Sequence, residues 1–236
     1  MTSNDYPKEF YTAAKDLRYL LGQGYPRQGV ITFVGNHYQL SKTMRDILYR
    51  GVYPGAEALT RRWKMLTPDR IRRRAVGVDG HNVLITLESA LLDRDLIVCD
   101  DGVIRDVAWI SHSYQPSETT EQALDLLLDF LAEHGVLSIV FYLFGTMSFS
   151  GELAAQIRSL ISGRGLMGRA EVVAFPTEEL RGFPGLTASS NSILIDRVAE
   201  PIDLAGWIIR RLQPAALTNL GLLDDDDQYR PERPLG

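Results

Sequence analysis

From Ala75 onward, short β-rich apolar runs alternate with amphipathic helical stretches, and this alternation limits the possible folds more than any other feature of the chain. Ala75–Val78 reads as a strand, the stretch through Val83–Leu92 as a helix, and Leu96–Cys99 as a second strand. Thr119–His134 carries Leu124, Leu127, Leu128 and Leu131 on one helical face. Val136–Leu143 is rich enough in β-branched and aromatic residues to be a strand buried on both faces. Ser150 is placed to cap a helix bearing Leu153, Ile157, Leu160 and Ile161. Glu171–Phe175 and Leu186–Ala188 complete the strands, and Asp203–Leu212 is a closing helix. Such alternation implies an α/β fold with a mostly parallel sheet flanked by helices.

The preceding stretch reads differently. Phe10, Ala13, Ala14, Leu17, Leu20 and Leu21 form one apolar stripe, ended by Gly22 and Gly24. The run GVITFVGNHYQL fits a strand or a buried helix equally well. Ser41 caps a helix with Met44, Ile47 and Leu48, and Ala56–Leu66 forms another. Three regions result: a basic helical module over 1–74, an α/β domain over 75–213, and an acidic, disordered tail over 214–236.

Charge divides along the same line. Residues 1–75 carry 14 basic and 6 acidic side chains, while residues 76–236 carry 11 basic and 24 acidic ones. A net of +8 beside a net of −13 suits a polyanion-binding surface next to a cation-binding site. It equally suits two charged faces that attract each other. The arginines at Arg61, Arg62 and Arg70 to Arg74, with Lys64, would form the grip in the first case. No run of about 18 apolar residues occurs, so no membrane helix is expected, and MTSNDYPKEF has no secretory pattern. Cys99 is the sole cysteine, which excludes an internal disulfide and a multi-cysteine zinc site. A cytoplasmic location fits.

Ligands of open parallel sheets bind outside the carboxyl ends of the strands. The residues expected there are Asp79 and Asn82 after the first strand, with His81 between them neither a clear zinc ligand nor a clear base, and Asp100 and Asp101 after the second. Ser148 and Ser150 follow the third, and Asn191 the last, which ends near Thr187, Ser189 and Ser190. Clustered carboxylates repel unless a cation lies between them, and hard oxygen ligands suit Mg²⁺ or Mn²⁺. The same residue types also favour turns and caps, the better reading for Asp100-Asp101-Gly102 taken alone. Asn36, Arg50 and Arg105 could hold phosphate. No GxxxxGK[ST] or GxGxxG loop is present, which argues against P-loop NTPases and dinucleotide-dependent oxidoreductases.

AVGVDGHNVLI, from Ala75 to Ile85, resembles the first strand and helix of the PIN-like nucleases, especially their NYN branch. More broadly, LRYLLGQGYPRQGVITFVGNHYQL, ILYRGVYPG, VDGHNVLITLESALL, CDDGVIRD, SFSGELAAQIR and SSNSILIDRV resemble a bacterial and archaeal domain-of-unknown-function family, number 434, across residues 17–198. The nuclease resemblance implies a parallel α/β sandwich whose strand-end carboxylates hold Mg²⁺ or Mn²⁺ for RNA cleavage. Asp79, Asp100 and Asp101 would then bind metal, and Asn82 and Asn191 would position water or phosphate. Arg50, Arg105, Asn36, Ser148 and Ser150 would contact substrate. RNA, tRNA included, is the expected partner, no membrane is expected, and self-association stays open. Phe144 and Asn191 stand where that pattern favours aspartate. A binding module for RNA or a nucleotide, without turnover, is therefore the alternative, as is an enzyme acting on a small molecule or an aminoacyl-tRNA.

Overall fold

A computed structural model describes residues 6–107, 114–212 and 217–220. The chain divides into two units, neither of them contiguous in sequence: Met1–Trp63 with Asp95–Val107 and Ala215–Gly236, and Lys64–Arg94 with Ala108–Pro214. This differs from the linear division at residue 74, because a hairpin and a short terminal strand join the N-terminal helices.

In the first unit the helices are α1 (Lys8–Gly22), α2 (Arg27–His37), α3 (Lys42–Gly51) and α4 (Gly55–Lys64), the last ending across the unit boundary. The apolar stripe of α1 is buried through Phe10, Ala13, Ala14, Leu17 and Leu21. The ambiguous run is helical, as α2, with Val30, Ile31 and Val34 inside. Ser41 accepts from the Met44 N–H and so caps α3. With elements numbered along the chain, β2 (Leu96–Val98) pairs antiparallel with β3 (Ile104–Asp106) and parallel with β8 (Leu217–Asn219). Ile97, Cys99 and Leu220 extend the helical core. Gly51 allows the closest approach: a Cβ there would lie 2.2 Å from Leu220 Cδ1. Two expectations are thus corrected. Leu96–Cys99 is not a strand of the parallel sheet, and residues 217–219 of the supposed tail form a strand; residues 221–236 lie outside the described residues.

The second unit is a mixed α/β structure around a five-stranded sheet. Its strands are β1 (Ala75–Asp79), β4 (Ser138–Phe144), β5 (Gly168–Val173), β6 (Leu186–Ala188) and β7 (Pro201–Ile202), in the order β5-β4-β1-β6-β7 and all parallel. The helices are α5 (Gly80–Leu91), α6 (Glu118–Glu133), α7 (Ser150–Gly163), α8 (Pro176–Arg181), α9 (Ser192–Arg197) and α10 (Leu204–Leu212). Val140 and Tyr142 on β4 pack with Leu180, Leu194 and Val198 from α8 and the α9 region. Strand alternation directs Ile139, Phe141 and Leu143 to the opposite face, all fully buried. Ser150 is the first residue of α7, not its cap; Phe149 holds the cap position in a left-handed conformation (φ 62°).

The arginine cluster sits at the wrong end of this sheet for a grip beside Asp79. Arg72 and Arg73 precede β1, whose other end is Asp79, so about 15 Å of strand separates them. Arg72 bridges to Val136, and Arg74 pairs with Glu200 through both terminal guanidinium nitrogens. Lys64 Nζ donates to the carbonyls of Ile195 and Asp196 at the C-terminal end of α9, a cationic cap.

Candidate functional site

The order of the parallel sheet reverses at β1: the chain builds outward through β4 and β5, then returns to lay β6 on the other side of β1. At such a switch point the loops after adjacent strands diverge and leave a crevice at the carboxyl ends. Asp79 ends β1, Asn82 lies in the first turn of α5, and Ser189, Ser190 and Asn191 follow β6. Gly80 lets α5 start against β4, since a Cβ there would lie 2.5 Å from Leu143 Cδ2 and 3.2 Å from the Tyr142 carbonyl oxygen.

These side chains form one hydrogen-bonded group. Ser189 Oγ donates to Asp79 Oδ2 (2.9 Å) and accepts from the Asn191 N–H (3.0 Å). Asn82 Oδ1 accepts from the Ser190 N–H and Oγ, both at 2.8 Å. Asn191 is an N-cap: its Oδ1 accepts from the Ile193 and Leu194 N–H groups, which ties its amide oxygen to α9. Burial pushes the Asp79 carboxyl up to about 6, and the Ser189 hydrogen bond offsets only part of that.

His81 adds a second feature. Its Nδ1 accepts from the Phe144 N–H at 3.1 Å, which places the ring proton on Nε2. Burial holds this imidazole down to about 4, so it is neutral at physiological pH. Nε2 is buried without a hydrogen-bond partner among the described residues. The ring stands edge-on to Tyr114, centroids 5.3 Å apart, and Tyr114 and Thr120 both donate to Glu88 Oε1. Phe144 thus serves through its backbone: its N–H goes to His81 and its carbonyl accepts from Ser150 Oγ.

The other expected site residues have partners of their own, most of them within the first unit. Asp100 and Asp101 belong to the turn joining β2 to β3, in the first unit, and arginines occupy both. Arg18 grips Asp100 with Nε and Nη2 (2.8 and 2.7 Å), and the Tyr53 N–H adds a third bond to that carboxylate. Burial raises Asp100 from the ordinary carboxylate range, against the pull of Arg18. Arg105 forks onto both oxygens of Asp101 (2.7 and 2.8 Å), and Arg61 approaches at 3.6 Å. Burial opposes the charge on Arg105, yet the adjacent Asp101 carboxylate holds its guanidinium well above the ordinary value. Arg61 and Arg105 also flank the Tyr53 ring, at 4.4 and 5.4 Å from its centroid. Arg50 reaches Asp106 at 3.5 Å, and Asn36 Oδ1 accepts from Arg45. Ser148 is exposed on the loop after β4, whereas Ser150 Oγ is turned inward to the Phe144 and Met147 carbonyls. Cys99 is core, its thiol pushed up to about 12 by burial.

The sequence reading passed over Arg18, Tyr53, Tyr114 and Glu88. The Asp100-Asp101 pair was the signal for the arginines, because two adjacent buried carboxylates require cations. Nothing in the sequence marks Tyr114 or Glu88. Among the described residues, no group of three or more His, Cys, Asp or Glu side chains is arranged to hold a metal.

Comparison with known proteins fits the two-part architecture. The profile described as "Domain of unknown function (DUF5616)" matches residues 68–207, more than half of the chain. The chain belongs to this family. Residues 9–64 match a second one, "Protein of unknown function (DUF434)", so the resemblance seen across residues 17–198 is shared between two families. The DUF5616 match begins close to the unit boundary at Trp63 but runs through the β2–β3 hairpin that belongs to the first unit. A relative, "Uncharacterized protein MJ0935" of Methanocaldococcus jannaschii, is 30% identical over 203 residues, covering 85% of this chain and 97% of its own length. No solved structure matches. No described helix is long and apolar enough to cross a membrane.

Proposed function

We propose that the parallel α/β unit is a PIN/NYN-like phosphodiesterase acting on RNA, with Asp79 as its central carboxylate. The observation that carries this reading is the position of Asp79, at the end of the central strand and at the point where strand order reverses. The donor set fits a hydrated Mg²⁺ or Mn²⁺ held through one protein carboxylate and completed by waters and substrate phosphate, a mode such ions adopt. Half-buried Asp79 gains from a nearby cation, because the cation offsets the cost of ionising it. When bound, the ion would lower the pKa of a water and neutralise charge on the phosphate under attack.

The chain's own groups have separate tasks. Ser189 orients the Asp79 carboxylate, and Asn82 locks the Ser190 backbone so that the β6 loop keeps its place beside β1. His81, neutral and carrying its proton on Nε2, supplies a buried donor at the start of α5. Asp100, Asp101 and Arg105 hold the first unit together and take no part in the chemistry.

The test is incubation of the pure chain with single-stranded RNA and with tRNA in the presence of Mn²⁺. Wild type should cleave and Asp79→Asn should lose at least about a hundredfold in rate, with cleavage rising as pH passes about 6. Equal rates in both proteins would remove the metal-nuclease reading. One observation favours a second reading, an RNA-binding module without turnover: among the described residues, Asp79 belongs to no group of three or more His, Cys, Asp or Glu side chains placed to hold a metal. Salt-sensitive RNA binding without metal-dependent cleavage would select it.

A further inference from the structure

A groove of about 220 Å³ lies between α1 and α2 of the first unit. Tyr19 and Phe33, each 67% exposed, line it. Neither belongs to the buried faces of the helices, which are Phe10, Ala13, Ala14, Leu17 and Leu21 on α1 and Val30, Ile31, Val34 and Gly35 on α2. The core therefore does not account for them. Asp16 lies in the same groove, and its Oδ2 accepts from Tyr38 Oη at 2.6 Å. That bond fixes the carboxylate, raises the Tyr38 phenol above its ordinary value, and leaves Oδ1 without a hydrogen bond among the described residues. His37 packs edge-on against the Tyr38 ring, centroids 4.7 Å apart.

Asp16 is the one carboxylate of the lining, and His37 its one basic side chain. Aromatic faces carry the negative end of a quadrupole, and Asp16 adds a full negative charge. No lysine or arginine lines the groove. Asp16 disfavours a phosphate-bearing ligand, whereas an ammonium or guanidinium would meet both the aromatic lining and the open carboxylate oxygen. The volume falls below that of sites for drug-sized ligands and suits one side-chain-sized group. The geometry points to an organic-cation site: the groove between α1 and α2 takes an alkylammonium or guanidinium group through Tyr19, Phe33 and Asp16. This site is independent of the Asp79 crevice and of any reaction there.

Calorimetric titration of the full chain, backed by NMR shifts of the Tyr19 and Phe33 ring protons, tests it. The probes are spermidine, N-acetyl-lysine amide, N-acetyl-arginine amide, the neutral N-acetyl-norleucine amide, and GMP. At least one cation should saturate the site, and Asp16→Asn and Phe33→Ala should each weaken it roughly tenfold. Both residues are exposed, so the variants should keep the wild-type melting temperature. Binding of spermidine alone would identify a free polyamine as the source; binding of an amino-acid amide would identify a side chain of a protein partner. Either result supports the site. Norleucine amide or GMP binding as tightly as the best cation would overturn it, and so would unchanged affinity in Asp16→Asn. Absence of saturation by every cation up to about 10 mM would overturn it too.

Discussion

Ser189 Oγ donates to Asp79 Oδ2 at 2.9 Å, so the loop after β6 is tied to the last residue of β1 at the point where strand order reverses. The pair is short-range in space and 110 residues apart in sequence. It carries the first two predictions, which concern opposite responses to acid within the same crevice.

Asp79 titrates near 6 in the folded protein, against 3.8 ordinarily. The folded state therefore binds the extra proton between these values, and stability falls as pH rises through that window. The difference corresponds to at most roughly 3 kcal/mol. Asp79→Asn should raise the urea midpoint at pH 7.5 and leave it unchanged near pH 3.5. A variant that is less stable at pH 7.5 would contradict the buried-carboxylate account.

His81 responds the other way. Its folded value near 4 lies below the ordinary 6.5, so its contribution is complete above 6.5 and is lost as pH falls toward 4. Over the shared window the two groups offset each other, and wild-type stability should be nearly flat there. His81→Gln should expose the Asp79 slope: urea midpoints that fall steadily from pH 4 to 6. Parallel profiles for the variant and wild type would count against it.

Asp101 and Arg105 form a buried fork in the β2–β3 hairpin, each nearly inaccessible. Removing one partner strands the other charge, which typically costs about 3–5 kcal/mol. Asp101→Ala should therefore lower the unfolding midpoint sharply without changing any metal affinity of the folded chain. Loss of Mn²⁺ binding at full stability would instead return Asp101 to the metal site.

Phe149 holds the N-cap of α7 at φ 62°, a region costly for a bulky residue, with its side chain 48% exposed. Gly reaches this conformation without the Cβ penalty, which is about 1 kcal/mol. Phe149→Gly should raise the melting temperature by about 2–4 °C. A drop of similar size would mean that packing of the ring outweighs the strain.

Residues 217–220 are a structural part of the first unit. Truncation after Pro214 removes β8 and takes Leu220, 2% exposed, out of the helical core. Burial of one such side chain contributes about 1.5–3 kcal/mol. Limited proteolysis should then cut within α1–α4 first, whereas a chain ending at Leu220 should resist as wild type does.

The sequence alone determined several local elements, though not the helical state of α2 or the cap of α7. The α1 stripe, the Ser41 cap and the amphipathic α6 follow from side-chain period and hydrogen-bonding capacity, which act within a few residues. It also determined that Asp79 would end a buried strand, because apolar β-branched residues before an aspartate and a glycine admit little else. Partner choice over long distance was decided only by the tertiary structure. Leu96–Val98 reads as a strand in isolation, but nothing local shows that it pairs with Leu217–Asn219 instead of the parallel sheet. Asp79 and Asp100 look alike as strand-end carboxylates; one meets the Ser189 hydroxyl at a switch point, the other the Arg18 guanidinium fork. The physical reason is that a carboxylate's chemistry is set by the cations and donors packed around it. Those neighbours come from segments 82 and 110 residues away, Arg18 for Asp100 and Ser189 for Asp79.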